Sequence, residues 1–232
     1  MSATTFSFGP AGSWSMFNVG VALYLLENVP FDKERATCYV VSGGALGLTA
    51  LLYDDPIELV RRSIGACNIM SQLKDYKFRA PFHMKRICRE GLNYILPDNA
   101  HTRLGDRVYV GLTHFPSFRR SCKRGPFATK EALVDALLVT AYIPGFFCNW
   151  GYTDYKSMID GGFSHHCCPT PETSLVTTVS KYQHSDIYYD EGKFHLELMT
   201  ANEYMDSMWQ GYAAAERKKD IILEKLQVSC KL

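Results

Sequence analysis

Apolar positions along this chain come in short bursts of two kinds, and the two kinds alternate. Residues 4–8 form a brief run with strand character, and residues 37–41 form a second. Between them, Met16, Phe17, Val19, Val21, Ala22 and Leu25 crowd the stretch 15–26 so densely that it reads as a buried helix. Residues 45–53 predict a short helix after the second strand. Pro56 opens another that runs to about residue 73, and 83–95 suits one more. Val108-Tyr109-Val110-Gly111-Leu112-Thr113 is rich in β-forming residues and predicts a strand. Residues 130–140 read as a helix capped by Thr129 and ending before Pro144. Short strands follow at Met158-Ile159 and over 175–179. A long amphipathic helix is expected over 202–226, carrying Tyr204, Met208, Trp209, Tyr212 and Ile222. Strands interleaved with helices, with no repeat and no linker-like stretch, predict one α/β domain over residues 1–232 with a largely parallel sheet.

Composition narrows the function classes. Hydrophobic residues make up 47% and charged residues 21%, the balance of an ordinary globular protein. A net charge of +1 argues against nucleic acid as a partner held by bulk electrostatics. The 8 cysteines show no C-x-x-C spacing, so no metal site is expected. The first residues lack a basic segment followed by an apolar one, and no apolar run reaches the ~18 residues of a membrane span. Reduced thiols and an intracellular setting, cytoplasmic or peripherally membrane-associated, are therefore expected.

Three turns carry candidate chemistry. Tyr39-Val40-Val41-Ser42-Gly43-Gly44-Ala45-Leu46 joins a strand to a helix-like segment, the setting of a nucleophile elbow that lifts Ser42 out of the sheet. Gly44 meets the elbow's need for a small residue downstream. Val40 stands where the common Gly-x-Ser-x-Gly pattern has its first glycine. The competing reading is an ordinary Ser-Gly-Gly turn. Asp160-Gly161-Gly162 follows a short β segment and reads as a turn, or as a carboxylate that takes the proton of Ser42 without a histidine. A Ser-Asp-His triad with His184 or His195 requires several strands before the nucleophile, and too little chain precedes Ser42. His165 and His166 lie closest to the Asp160 turn. The third turn, Gly9-Pro10-Ala11-Gly12, sits between strand and helix. There the N–H groups of Ala11 and Gly12 can converge on an oxyanion, whereas Pro10 has none to give. Phe115 to Phe127 mixes aromatics with four cations and reads as a loop, either solvated or resting on an anionic membrane.

Together these segments resemble the patatin-like phospholipase family, and within it the adiponutrin and adipose triglyceride lipase type. Ser7 to Gly20 is similar to that family's oxyanion segment and first helix, and Val40 to Leu46 to its elbow. Ala141-Tyr142-Ile143-Pro144-Gly145-Phe146-Phe147 is similar to its Ile-Pro turn, and Asp160-Gly161-Gly162 to its aspartate motif. Asp186-Ile187-Tyr188 and Gln210-Gly211-Tyr212 also match in position. The resemblance implies a three-layer α/β/α fold and a Ser-Asp dyad, with Ser42 as nucleophile and Asp160 as base. It places Ala11 and Gly12 as oxyanion donors, Gly43 and Gly44 in the elbow, and Gly161 and Gly162 in the aspartate turn. It implies hydrolysis of phospholipid or acylglycerol esters, or acyl transfer, with no cofactor and with contact to a membrane or lipid-droplet surface. Pro10, Ser15 and Val40 each replace a family glycine. A lost oxyanion donor costs ~3 kcal/mol, so a catalytically silent lipid-binding or regulatory module is the alternative.

Overall fold

The computed structural model describes residues 4–146, 157–164, 169, 174–189 and 196–231, with side chains as far as residue 226. In chain order its strands and helices are β1 (Thr5–Phe8), α1 (Ser15–Asn28), β2 (Thr37–Val40), α2 (Thr49–Leu52), α3 (Pro56–Ser71), α4 (Ala80–Ile95), α5 (Ala100–Leu104), β3 (Val108–His114), β4 (Arg119–Arg124), α6 (Lys130–Thr140), β5 (Met158–Asp160), β6 (Ser174–Thr178), β7 (Ile187–Tyr188), α7 (Ala201–Arg217) and α8 (Lys219–Lys231). The strands form one sheet in the order β4-β3-β2-β1-β6-β7, with β5 also paired to β3. The pairings β3–β2, β2–β1, β1–β6 and β6–β7 are all parallel, and β4 and β5 run antiparallel to β3. Helices flank this largely parallel sheet in an α/β arrangement consistent with the three layers expected.

The burial pattern explains the elements. Phe6, Phe8, Cys38, Val40, Val108 and Val110 point from one sheet face into the large core, while Tyr39 and Val41 form a small cluster with Tyr109 on the other. Every residue of α1 from Met16 to Leu25 is buried, including Asn18. A helix apolar on all sides is an interior helix, as its density of apolar positions predicts. It crosses α7 at backbone contact. A β-carbon at Gly20 would overlap the Met208 carbonyl, and one at Gly211 would overlap that of Phe17.

Three expectations need correction. Residues 45–53 do not make a single helix: Ser42–Leu48 is 3₁₀-helical and only Thr49–Leu52 is α. The tighter winding belongs to a segment packed against the first turn of the chain. The segment 115–127 is not a plain loop, because β4 lies inside it and pairs with β3 over six residue pairs. Its cation-rich sequence hides an edge strand, where exposed charges face water on an otherwise pairable edge. The stretch 202–226 holds two helices, α7 and α8, separated at Lys218 with φ −107° and ψ 17°. Helix α5 and strand β7 are further elements beyond those read from periodicity.

Among the described residues, no helix is long and apolar enough to cross a membrane, and no cluster of three metal-ligating side chains occurs. Cys38, Cys67, Cys88 and Cys122 are free thiols, and the side chains of the other four cysteines lie outside the described residues. His165, His166 and His195 also lie outside them.

Candidate active site

Strand β3 brings Ser42 and Asp160 together. One of its edges is taken by β4 from Tyr109 to His114. The other must therefore serve both β2, at residues 108–110, and β5, at residues 112–114. Strand β2 runs parallel to β3 and β5 antiparallel, so their C-terminal ends meet head to head along that shared edge. Val40 pairs with Val110 and Asp160 with Leu112. Ser42, two residues past Val40, lands beside Asp160.

The contact is direct. Ser42 Oγ donates to Asp160 Oδ2 at 2.7 Å, and the Gly162 N–H donates to Asp160 Oδ1 at 2.6 Å. The Asp160 N–H in turn donates to the Tyr142 carbonyl at 2.8 Å. The Ile-Pro segment thus anchors the backbone of the aspartate. Among the described residues, no histidine bonds to either side chain; His184 is exposed. Asp160 is almost wholly buried, and burial pushes its carboxyl up to about 6, against the lowering effect of the bonds from Ser42 and Gly162. A buried carboxyl with this affinity for a proton is suited to proton transfer near neutrality.

Ser42 holds φ at +54°, a left-handed conformation that is strained for a serine. Its N–H donates to Thr140 Oγ1 at 3.0 Å, and Thr140 Oγ1 donates to the Gly111 carbonyl at 2.5 Å. Thr140 therefore pins the strained residue to β3. Asn18 reaches the same corner from α1, with Nδ2 at 3.5 Å from the Gly43 carbonyl, while its Oδ1 has no partner among the described residues. Neither residue was singled out by sequence reasoning. A threonine closing an apolar helix next to the Ile-Pro segment was the available signal for Thr140, and an asparagine inside an apolar helix was the signal for Asn18.

The elbow also abuts the N-terminal turn. A β-carbon on Gly44 would overlap the Phe8 carbonyl, and one on Gly43 would stand 2.8 Å from the Gly12 carbonyl and 3.1 Å from Gly12 N. Small residues at both positions are what let the two turns touch. The N–H groups of Ala11 and Gly12 have no acceptor among the described residues. The Gly161 carbonyl accepts from Thr113 Oγ1 at 3.2 Å, which ties the aspartate turn to β3. Of the residues standing where the resemblance expects glycine, Val40 is fully buried in the core and Pro10 packs its ring beside Gly162. The strand–turn–helix corner forms with Val40 in place.

From this corner a cavity of about 1010 Å³, counting its open mouth, runs into the protein. Gly12, Ser42 and Gly43 stand on its wall. The rest is mainly apolar, with Met70 and Cys67 from α3, Met84 and Leu92 from α4, Leu137 from α6 and Tyr204 from α7. No cation lines it. The arrangement can hold a long apolar chain with its polar end at Ser42.

No protein-family model matches the chain. It is 24% identical over 213 residues to the human 1-acylglycerol-3-phosphate O-acyltransferase PNPLA3, covering 86% of this chain and 44% of that protein. It is 30% identical over 197 residues to patatin-like phospholipase domain-containing protein 2 of Rattus norvegicus, covering 78% of this chain and 38% of the relative. With patatin-like phospholipase domain-containing protein 5 of Mus musculus the identity is 25% over 175 residues, or 72% and 40% of the two chains. The chain thus spans about two fifths of the length of these relatives.

Proposed function

Because the chain belongs to the patatin-like phospholipase family, we propose that it cleaves or transfers the acyl group of a phospholipid or acylglycerol ester, with Ser42 as nucleophile and Asp160 as base. One observation carries the reading: a strained, buried serine donates a 2.7 Å hydrogen bond to a buried carboxylate at the head of an apolar cavity.

In the first step Asp160 Oδ2 takes the Ser42 proton as Oγ attacks the acyl carbonyl. The N–H groups of Ala11 and Gly12 hold the oxyanion that develops, and Pro10, which lacks an N–H, contributes only shape. The ester C–O bond then breaks, and the leaving oxygen takes the proton back from Asp160. An acyl-serine remains. Water, or the hydroxyl of an acceptor, gives its proton to Asp160 and attacks the acyl carbon. Ser42 leaves with that proton, which closes the cycle. Water yields a free acid, and an acceptor hydroxyl yields a new ester. The cavity's apolar wall, with no cation along it among the described residues, fits the acyl chain rather than a charged head group.

A serine-reactive fluorophosphonate tests the reading. The folded chain is expected to be labelled at Ser42, and Ser42→Ala is expected to abolish the label. Labelling that persists in Ser42→Ala rejects the nucleophile. A folded wild type that takes no label returns the chain to the alternative of a silent lipid-binding module.

A further inference from the structure

Among the described residues, four phenylalanines stand in solvent. Phe78 is 81% exposed and Phe82 64%, on the turn that leads into α4 and on its first turn. Phe118 and Phe163 are each about half exposed, on the β3–β4 turn and just after Asp160. The two pairs are linked through one small core. Phe118 meets both Phe115 and Phe163 edge-on, at 5.8 and 6.1 Å between ring centres. Phe115 packs on the small core that contains Leu73, Ala80 and Met84, the residues that flank Phe78 and Phe82 in sequence. Leu73 and Met84 also wall the cavity. Phe78 and Phe82 thus stand on elements that enclose it.

The backbone holds these rings outward. Ala80 and Met84 face inward from α4, and Phe82 falls on the opposite side by helical phase. Just before it, Lys77 takes φ +48°, strained for a lysine, where the chain kinks ahead of Phe78. Cations accompany the rings. Lys77, Arg79 and Arg119 have no carboxylate partner among the described residues, and the Arg79 guanidinium lies over the Phe78 ring at 5.6 Å. Exposed aromatics with unpaired cations fit a surface that offers both an apolar interior and negative charge. A second copy of the chain would bring the same cations and repel them.

We propose that this face is an interfacial anchor that seats the protein on an anionic lipid bilayer. The inference rests on the acyl-ester reading for its purpose, since it brings the site to a bilayer-held substrate. Its test is independent of catalysis.

The full chain is sedimented with phosphatidylcholine vesicles, with and without about 30% phosphatidylserine, at low and high salt. The wild type and Ser42→Ala are expected to partition equally onto the anionic vesicles, less at high salt and less onto neutral ones. Phe78→Ser with Phe82→Ser, both on the surface, is expected to lower partitioning at least about tenfold. Turnover of a soluble short-chain ester should stay within about twofold. Arg79→Glu with Arg119→Glu should abolish the preference for phosphatidylserine. Wild-type partitioning in the phenylalanine variant, or equal wild-type binding to neutral and anionic vesicles, overturns the anchor. So does a shift from dimer to monomer in that variant without vesicle binding, which makes the face an interface between copies. Loss of ester turnover in every protein, with the vesicle pattern intact, rejects the acyl-ester reading and leaves the anchor standing.

Discussion

Ser42 and Asp160 each occupy a state the isolated residue would avoid, one in its backbone and the other in its protonation. A serine at φ +54° carries about 1–3 kcal/mol of strain, offset locally by the bond from its N–H to Thr140. Asp160, with its carboxyl raised to about 6 by burial, gives up its proton less readily than the ordinary value of 3.8 implies. The sign of the resulting pH dependence follows. A base acts only when ionised, so kcat/KM on a soluble ester is expected to rise with pH through about 6 and then level. A flat profile across that range counts against Asp160. Stability moves the other way. Below the unfolded value the carboxyl is protonated in both states. Between 3.8 and about 6 only the folded state keeps its proton, so the contribution of Asp160 to stability is lost as pH rises through that window. Asp160→Asn removes the effect. Relative to the wild type, the variant should gain up to ~3 kcal/mol on going from pH 4 to pH 7, read by denaturant unfolding at both pH values.

At the scale of elements, two contacts set the geometry. The first is the shared edge of β3, where β2 and β5 end facing each other and leave their terminal residues side by side. The second is the crossing of α1 and α7, close enough that Gly20 and Gly211 touch the partner backbone. Helix α1 carries Asn18 to the elbow, so any change in that crossing reaches the site. Gly211→Ala gains about 1 kcal/mol in helix propensity. It nevertheless forces a methyl group into the Phe17 backbone, which cannot yield as a flexible side chain would. A net loss of about 2–4 kcal/mol is expected, read as a lower unfolding midpoint. Esterase activity per folded molecule should fall as well, because α1 shifts. An unchanged midpoint would mean that the helices separate at no cost.

For the whole molecule, the proposed acyl site predicts a chain-length preference. Helices α3, α4, α6 and α7 supply its walls, and no single segment encloses it. Ala66, on α3, lines it with a small side chain. Ala66→Phe should fill space instead of straining the core, with less than the ~1–3 kcal/mol cost of overpacking. The expected result is a drop of about tenfold or more in kcat/KM for a sixteen-carbon ester, with a four-carbon ester changed by less than about threefold. Equal losses for both esters would place the acyl chain elsewhere.

Much of this was legible in the chain itself. Alternating apolar bursts gave the order of strands and helices, because burial imposes its period on the sequence locally. The crowded apolar run of α1 announced an interior helix. Ser42, Asp160 and the Ala11-Gly12 turn could each be singled out, since strained or polar turns beside strands need particular residue types. Other features were beyond local reading. β4 looks like a charged loop because its hydrogen bonds come from β3 rather than from any pattern of its own. The break at Lys218 follows an otherwise continuous helical periodicity. Thr140, Asn18 and the closeness of Ser42 to Asp160 depend on pairings between distant segments. The sequence by itself determined which residues were chemically equipped and which elements would carry them. Only the tertiary structure decided that two strands would end against each other on one edge of β3. That register is fixed by the packing of the whole sheet, and with it came the proximity and burial of the pair and the raised proton affinity of Asp160.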